Sequence, residues 1–157
     1  MQNNISKISM SAIQKEVRLQ PSKTVEITIS PDNKKIVKKC IAKNIVYGVF
    51  PIVGNSMTCN DERSIPDGSQ VLAYELEIDF NKHFESIWHL LPLNEPILIM
   101  GTNRAGVKFF VCKTIIFINA VSGYVYLKSY NPDPAYNGGG LAFSSIESIL
   151  KVIQIIK

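Results

Sequence analysis

The chain has few of the devices that tie together small or unusual folds. Its three cysteines, Cys40, Cys59 and Cys112, form an odd set without paired spacing. That excludes a disulfide framework and a zinc knuckle, and it leaves three buried or partly buried thiols. No apolar run approaches the roughly 20 residues of a membrane span, and residues 96–100 and 115–118 are among the longest. The first fifteen residues lack the basic start and apolar stretch of a secretory leader. These absences predict a cytoplasmic protein that makes no use of a membrane. Its two histidines, His83 and His89, have no cysteine or carboxylate at ligand spacing, so no metal is expected. Asn137-Gly138-Gly139-Gly140 has no Lys-Ser/Thr after it, so it reads as a flexible loop rather than a phosphate cradle, and no cofactor is expected.

With 46% hydrophobic and 19% charged residues over 157 positions, the chain can bury one substantial core without a staple. Charge divides it unevenly. Residues 1–45 carry nine Lys and Arg against three Asp and Glu, whereas the remainder carries eight against ten. In this basic arm, residues 9–19 have the spacing of a short amphipathic helix. Residues 24–29 and 35–41 alternate around the turn Ser30-Pro31-Asp32-Asn33 and read as a hairpin. The lysines at 34, 35, 38 and 39 then protect a solvated edge strand, and contact with phosphates is the weaker alternative. The arm supplies no helix-turn-helix, so operator binding by this chain alone is not expected. From Val46 onward, short strands at 47–53, 70–76, 97–100, 108–118 and 124–129 are separated by Gly, Pro, Asn and Asp. They predict a mostly β, antiparallel domain over 46–157. One helical insertion carries Phe84, Ile87, Trp88 and Leu91 behind Asn81 as its cap, with Trp88 as a packing residue. The apolar segment 146–156 needs cover, as a core strand or at a subunit interface.

The informative stretch for chemistry is Val53-Gly54-Asn55-Ser56-Met57. A serine just after a glycine at a strand end is placed to expose its hydroxyl, with backbone N–H groups nearby to face an oxyanion. It needs a base, and neither histidine has the context of a Ser-His-Asp arrangement. A lysine held neutral by burial can serve instead. Lys113, within Phe109-Phe110-Val111-Cys112-Lys113-Thr114-Ile115-Ile116, is the candidate. Periodicity alone equally allows it to face water from the polar side of a strand.

Four ordered motifs carry a resemblance. Gly54-Asn55-Ser56-Met57, Ile65-Pro66-Asp67-Gly68 with Val71-Leu72, Val111-Cys112-Lys113-Thr114-Ile115, and Ser129-Tyr130-Asn131-Pro132 with Tyr136 resemble the peptidase domain of LexA-like and UmuD-like proteins. That domain is also found C-terminally in phage repressors, within the signal-peptidase-like superfamily. The segment Ile149-Leu150-Lys151-Val152 is similar to that domain's last strand. The resemblance implies a twisted, antiparallel β domain with short helical insertions. It also implies a serine endopeptidase in which Ser56 attacks and Lys113 acts as general base, then as acid toward the leaving amine. It further implies autocatalytic cleavage of the chain's own N-terminal arm, or action on a protein partner, and homodimers formed through this domain. Asp67-Gly68 and Asn131-Pro132 are structural parts on this pattern. The family's Ala-Gly or Cys-Gly cleavage bond is missing from the arm, because no glycine precedes Gly48. A non-cleaving dimerisation or regulatory module of a repressor-like protein is therefore the alternative. The segments 57–65 and 76–96 are long for compact members and are expected to cover or reshape the cleft.

Overall fold

The computed structural model describes residues 29–136 and 138–156. Within them the chain is mostly β. Helix α1 (Pro31–Lys43) is followed by strands β1 (Tyr47–Pro51) and β2 (Gln70–Glu75), then by a short helix α2 (Phe84–Ile87) with a 3-10 turn at Trp88–Leu90. Strands β3 (Ile97–Thr102), β4 (Lys108–Asn119), β5 (Tyr124–Lys128), β6 (Gly140–Ala142) and β7 (Ile146–Ile156) complete it. The seven strands form one sheet in the order β1-β2-β7-β3-β4-β5-β6, with antiparallel pairing throughout.

Strands β3 and β7 occupy the middle of this order, which explains their near-continuous apolar sequences: both faces are covered. Leu98 and Met100 of β3, with Leu150 and Val152 of β7, point into one core cluster. Ile97, Ile99 and Ile149 point into a second. Val37 of α1 belongs to the first cluster, and Ile87 and Leu91 around α2 belong to the second. The segment 146–156 is thus a central strand, one of the two placements its composition allowed.

The segment 35–41 is helical, which corrects the hairpin. Ser30 accepts a hydrogen bond from Asn33 N–H, Pro31 stands at the helix start, and Asn44 closes the far end in the left-handed conformation at φ 57°. The same Ser-Pro-Asp that reads as a turn is therefore an N-terminal cap and first turn. Ile36, Val37, Cys40 and Ile41 also fit the helical period, and Val37 and Cys40 are the buried pair. The lysines of this segment consequently lie on a helix, not on a strand edge. Residues 9–19 and 24–28 lie outside the described residues.

Two further differences are local. Helix α2 begins after His83, not Asn81, and His83 makes no side-chain cap; Asn81 N–H instead bonds to Asp79. Trp88, just beyond that helix, is 39% exposed and so only partly packed. Gly138 and Gly139 are held against β5 instead of forming an open loop. Leu127 N–H donates to Gly139 O at 3.0 Å, and a Cβ on Gly138 would lie 1.7 Å from Leu127 O. Only glycine fits that approach.

Strand β4 is shared between two ladders. Its first half, through Lys113, pairs with β3, whereas Thr114 opens the pairing with β5 opposite Lys128. The β5-side edge of Phe109–Lys113 consequently has no strand partner among the described residues, and Phe110–Lys113 border the same cavity as Ser56.

Candidate active site

The turn carrying Ser56 follows β1 and is held by hydrogen bonds to three residues outside it. Gly54 adopts φ 90°, which side-chain-bearing residues rarely do, and its N–H donates to Asp67 Oδ1 at 2.7 Å. Ile65 N–H donates to Met57 O at 2.8 Å, and both side chains are buried in the first core cluster. From the end of β5, Asn131 grips the turn twice. Its Nδ2 donates to Asn55 O at 2.8 Å, and its backbone N–H donates to Ser56 O at 2.9 Å. Asp67 and Asn131 thus both hold the serine turn by hydrogen bonds, Asn131 through its side chain and its backbone.

Ser56 and Lys113 line the same cavity, a space of about 250 Å³ that Val53, Phe110 and Cys112 also border. Beneath it the Phe50 and Phe110 rings meet edge-on at 5.8 Å between centroids. Lys113 is half-buried, and burial lowers its amine from the ordinary 10.5, while the neighbouring Cys112 opposes the shift. Burial also pushes the Cys112 thiol up to about 12, so it stays neutral there. No hydrogen bond joins Ser56 to Lys113 among the described residues. Lys113 Nζ instead donates to Ser129 Oγ at 2.7 Å. Ser129 is 2% exposed and is placed by the β4–β5 register, one residue beyond Lys128.

Ser129 is the lysine's hydrogen-bond partner, which the sequence does not single out. It was part of a recognised motif but carried no chemical task. The available signal was a hydroxyl directly after a strand that pairs with the lysine's own strand. Ser129 also borders a second, larger cavity of about 680 Å³, with Tyr130, Asn131 and Thr114. The segment 57–65 leans over it: Arg63 stacks on the Tyr130 ring at 5.0 Å and pairs with Asp61 at 2.8 Å. The cavity this segment lines is not the one shared by Ser56 and Lys113, which takes only Met57 from 57–65 and no residue from 76–96.

Two features bear on what the cavity can do. Among the described residues the backbone N–H groups of Ser56 and Met57 have no hydrogen-bond acceptor. The unpaired edge of β4 borders the same cavity through Phe110–Lys113, which offers main-chain groups to an extended segment. His83 and His89 are exposed and lie elsewhere. Among the described residues no group of His, Cys, Asp and Glu is arranged to hold a metal ion, and no helix is long and apolar enough to cross a membrane.

Comparison with protein-family models, with curated proteins and with solved structures finds no match for this chain.

Proposed function

We infer that the protein is a serine endopeptidase of the LexA-like and UmuD-like kind, working through a Ser56–Lys113 dyad on an extended peptide. The observation that carries this reading is one cavity bordered by an exposable serine on a glycine-formed turn and by a lysine whose charge is disfavoured by burial. Neutral Lys113 takes the Ser56 proton as Oγ attacks the carbonyl carbon. The Ser56 and Met57 N–H groups receive the oxyanion, and the protonated amine then delivers its proton to the leaving nitrogen. Water next attacks the acyl-serine, with the same amine as base. Ser129 orients the amine between these steps. Rotation of the lysine from Ser129 to Ser56 is the movement this mechanism requires, and apo geometry in such sites is commonly looser than in the reacting complex.

The substrate on this reading is the chain's own N-terminal arm or a partner segment. Ser30 N–H bonds to Gln154 near the end of β7, and that end pairs with Gln70, which pairs in turn with Pro51 just before the serine turn. The polypeptide preceding Ile29 therefore joins the described body at the same end of the sheet as Ser56. Incubating the purified protein at mildly alkaline pH and following intact mass tests the proposal. Fragments should appear in the wild type and vanish in Ser56→Ala and Lys113→Ala. Fragments that persist unchanged in both variants would overturn it.

A second reading is favoured by the absence of an Ala-Gly or Cys-Gly bond before Gly48 and by the lysine's present bond to Ser129. On it the domain is a non-cleaving regulatory module that pairs as a homodimer. A stable dimer by light scattering with no fragment at any pH would select it.

A further inference from the structure

We propose that the solvent face of α1 is a cationic surface that binds the phosphate backbone of duplex nucleic acid without reading its sequence. Lys34, Lys35, Lys38, Lys39 and Lys43 are all exposed on this 13-residue helix. At 3.6 residues per turn they fall within about half of its circumference. They form two rows, Lys34–Lys38 and Lys35–Lys39–Lys43, with successive members about 6 Å apart along the axis. None of the five is in an ion pair among the described residues. Asp32 in the first turn is the helix's single acidic residue, and Glu75 and Glu77 approach only its Lys39 flank.

The occupant follows from what else the helix offers. Its apolar residues Val37 and Cys40 are buried, and Ile41 is the one large apolar side chain it exposes, so the helix has no continuous apolar stripe to insert into a bilayer. Its sequence contains no aromatic residue on which unpaired bases could stack. What remains is an array of mobile point charges on a rigid rod, which suits the closely spaced phosphates of a duplex. Asn33 anchors the rod by donating to Gln154 at 2.9 Å and to Ile153 O at 3.1 Å, so the array moves with the sheet. The helix carries no Arg or Gln to pair with base edges, and its one Asn, Asn33, is bonded to β7, so the interaction is assigned to the phosphate backbone. This assignment does not depend on whether Ser56 cleaves anything.

The test is fluorescence anisotropy of a short mixed-sequence duplex with the full chain, from about 50 to about 200 mM salt. Three to five phosphate contacts give a slope of log K against log salt of roughly −3 to −4.5. The combined Lys34→Gln, Lys35→Gln, Lys38→Gln and Lys39→Gln variant should bind at least about tenfold more weakly, with a flatter slope. The matching Lys→Arg variant should bind like wild type, which separates lost charge from lost folding, and so should Ser56→Ala. The proposal is overturned by undetectable duplex binding, by unaltered binding in the Gln variant, or by tighter binding to phosphatidylserine vesicles or to polyglutamate than to the duplex.

Discussion

Lys113 is where burial and hydrogen bonding act in opposite directions. Burial disfavours its ammonium form, while the Ser129 oxygen that accepts from it favours that form. Cleavage should therefore rise with pH along a limb lying below the usual lysine range, visible in a pH–rate profile. Ser129→Ala should move that limb to still lower pH and slow the plateau by about tenfold or more, and Ser129→Thr should restore both. A purely structural role for Ser129 would leave the limb in place. The sign for stability follows from the same lowering. Between the folded pKa and 10.5 the unfolded chain binds the extra proton, so stability climbs as pH rises through that window. Lys113→Met should flatten the climb in denaturant titrations at several pH values. The thiols divide by burial: Cys40 and Cys112 are both raised. Iodoacetamide at mildly alkaline pH should label the part-exposed Cys59 first, as peptide mass mapping would show. Ser56 and Lys113 were legible in the sequence because glycine before a serine and a cation inside an apolar run are both local anomalies. Ser129 was not, because its task exists only through the register of two strands.

Among the elements, α1 shows how local signals mislead. Ser30-Pro31-Asp32 serves a turn or a helix start equally well, and Lys35 to Ile41 alternates closely enough to pass for a strand. What decides is the buried pair Val37 and Cys40 against the sheet, a tertiary contact that no short window contains. Two substitutions probe its ends by chemical denaturation. Ser30→Ala should destabilise by about 1 kcal/mol through the lost cap. Asn44→Ala should do so by roughly 1–2 kcal/mol, because its φ of 57° is left-handed, whereas Asn44→Gly should be neutral or better. The strands other than β6 were read nearly to their ends, since β3 and β4 carry unbroken apolar or alternating patterns bounded by polar turns; β6 begins at Gly140, which reads as loop. Hidden from sequence was the constraint on Gly101, where the β3–β7 register shifts. A Cβ there would lie 1.9 Å from Ser145 O, so Gly101→Ala should destabilise by about 1–3 kcal/mol.

On the scale of the whole molecule, β7 holds the sheet together. Among the described residues it is the one strand whose pairing links the β1–β2 pair, which leads into the serine turn, to the β3–β4–β5 group that bears Lys113 and Ser129. A chain ending at Ser145 should lose the β signal in far-UV circular dichroism and become rapidly digestible, because β2 and β3 would both lose their central partner. The mostly β, antiparallel character was readable from strand spacing, but the order β2-β7-β3 was not, since it pairs residues far apart in the sequence, such as Gln70 with Ile156. The hand-over in β4 has a mechanical corollary. Lys113 is the last rung of one ladder and Thr114 the first of the next, so any flexing between the two ladders pivots beside the amine. A guest strand seated along the open stretch before Lys113 would stiffen that pivot. Substrate occupancy would then set the reach of a single nitrogen, with no loop needing to close over it.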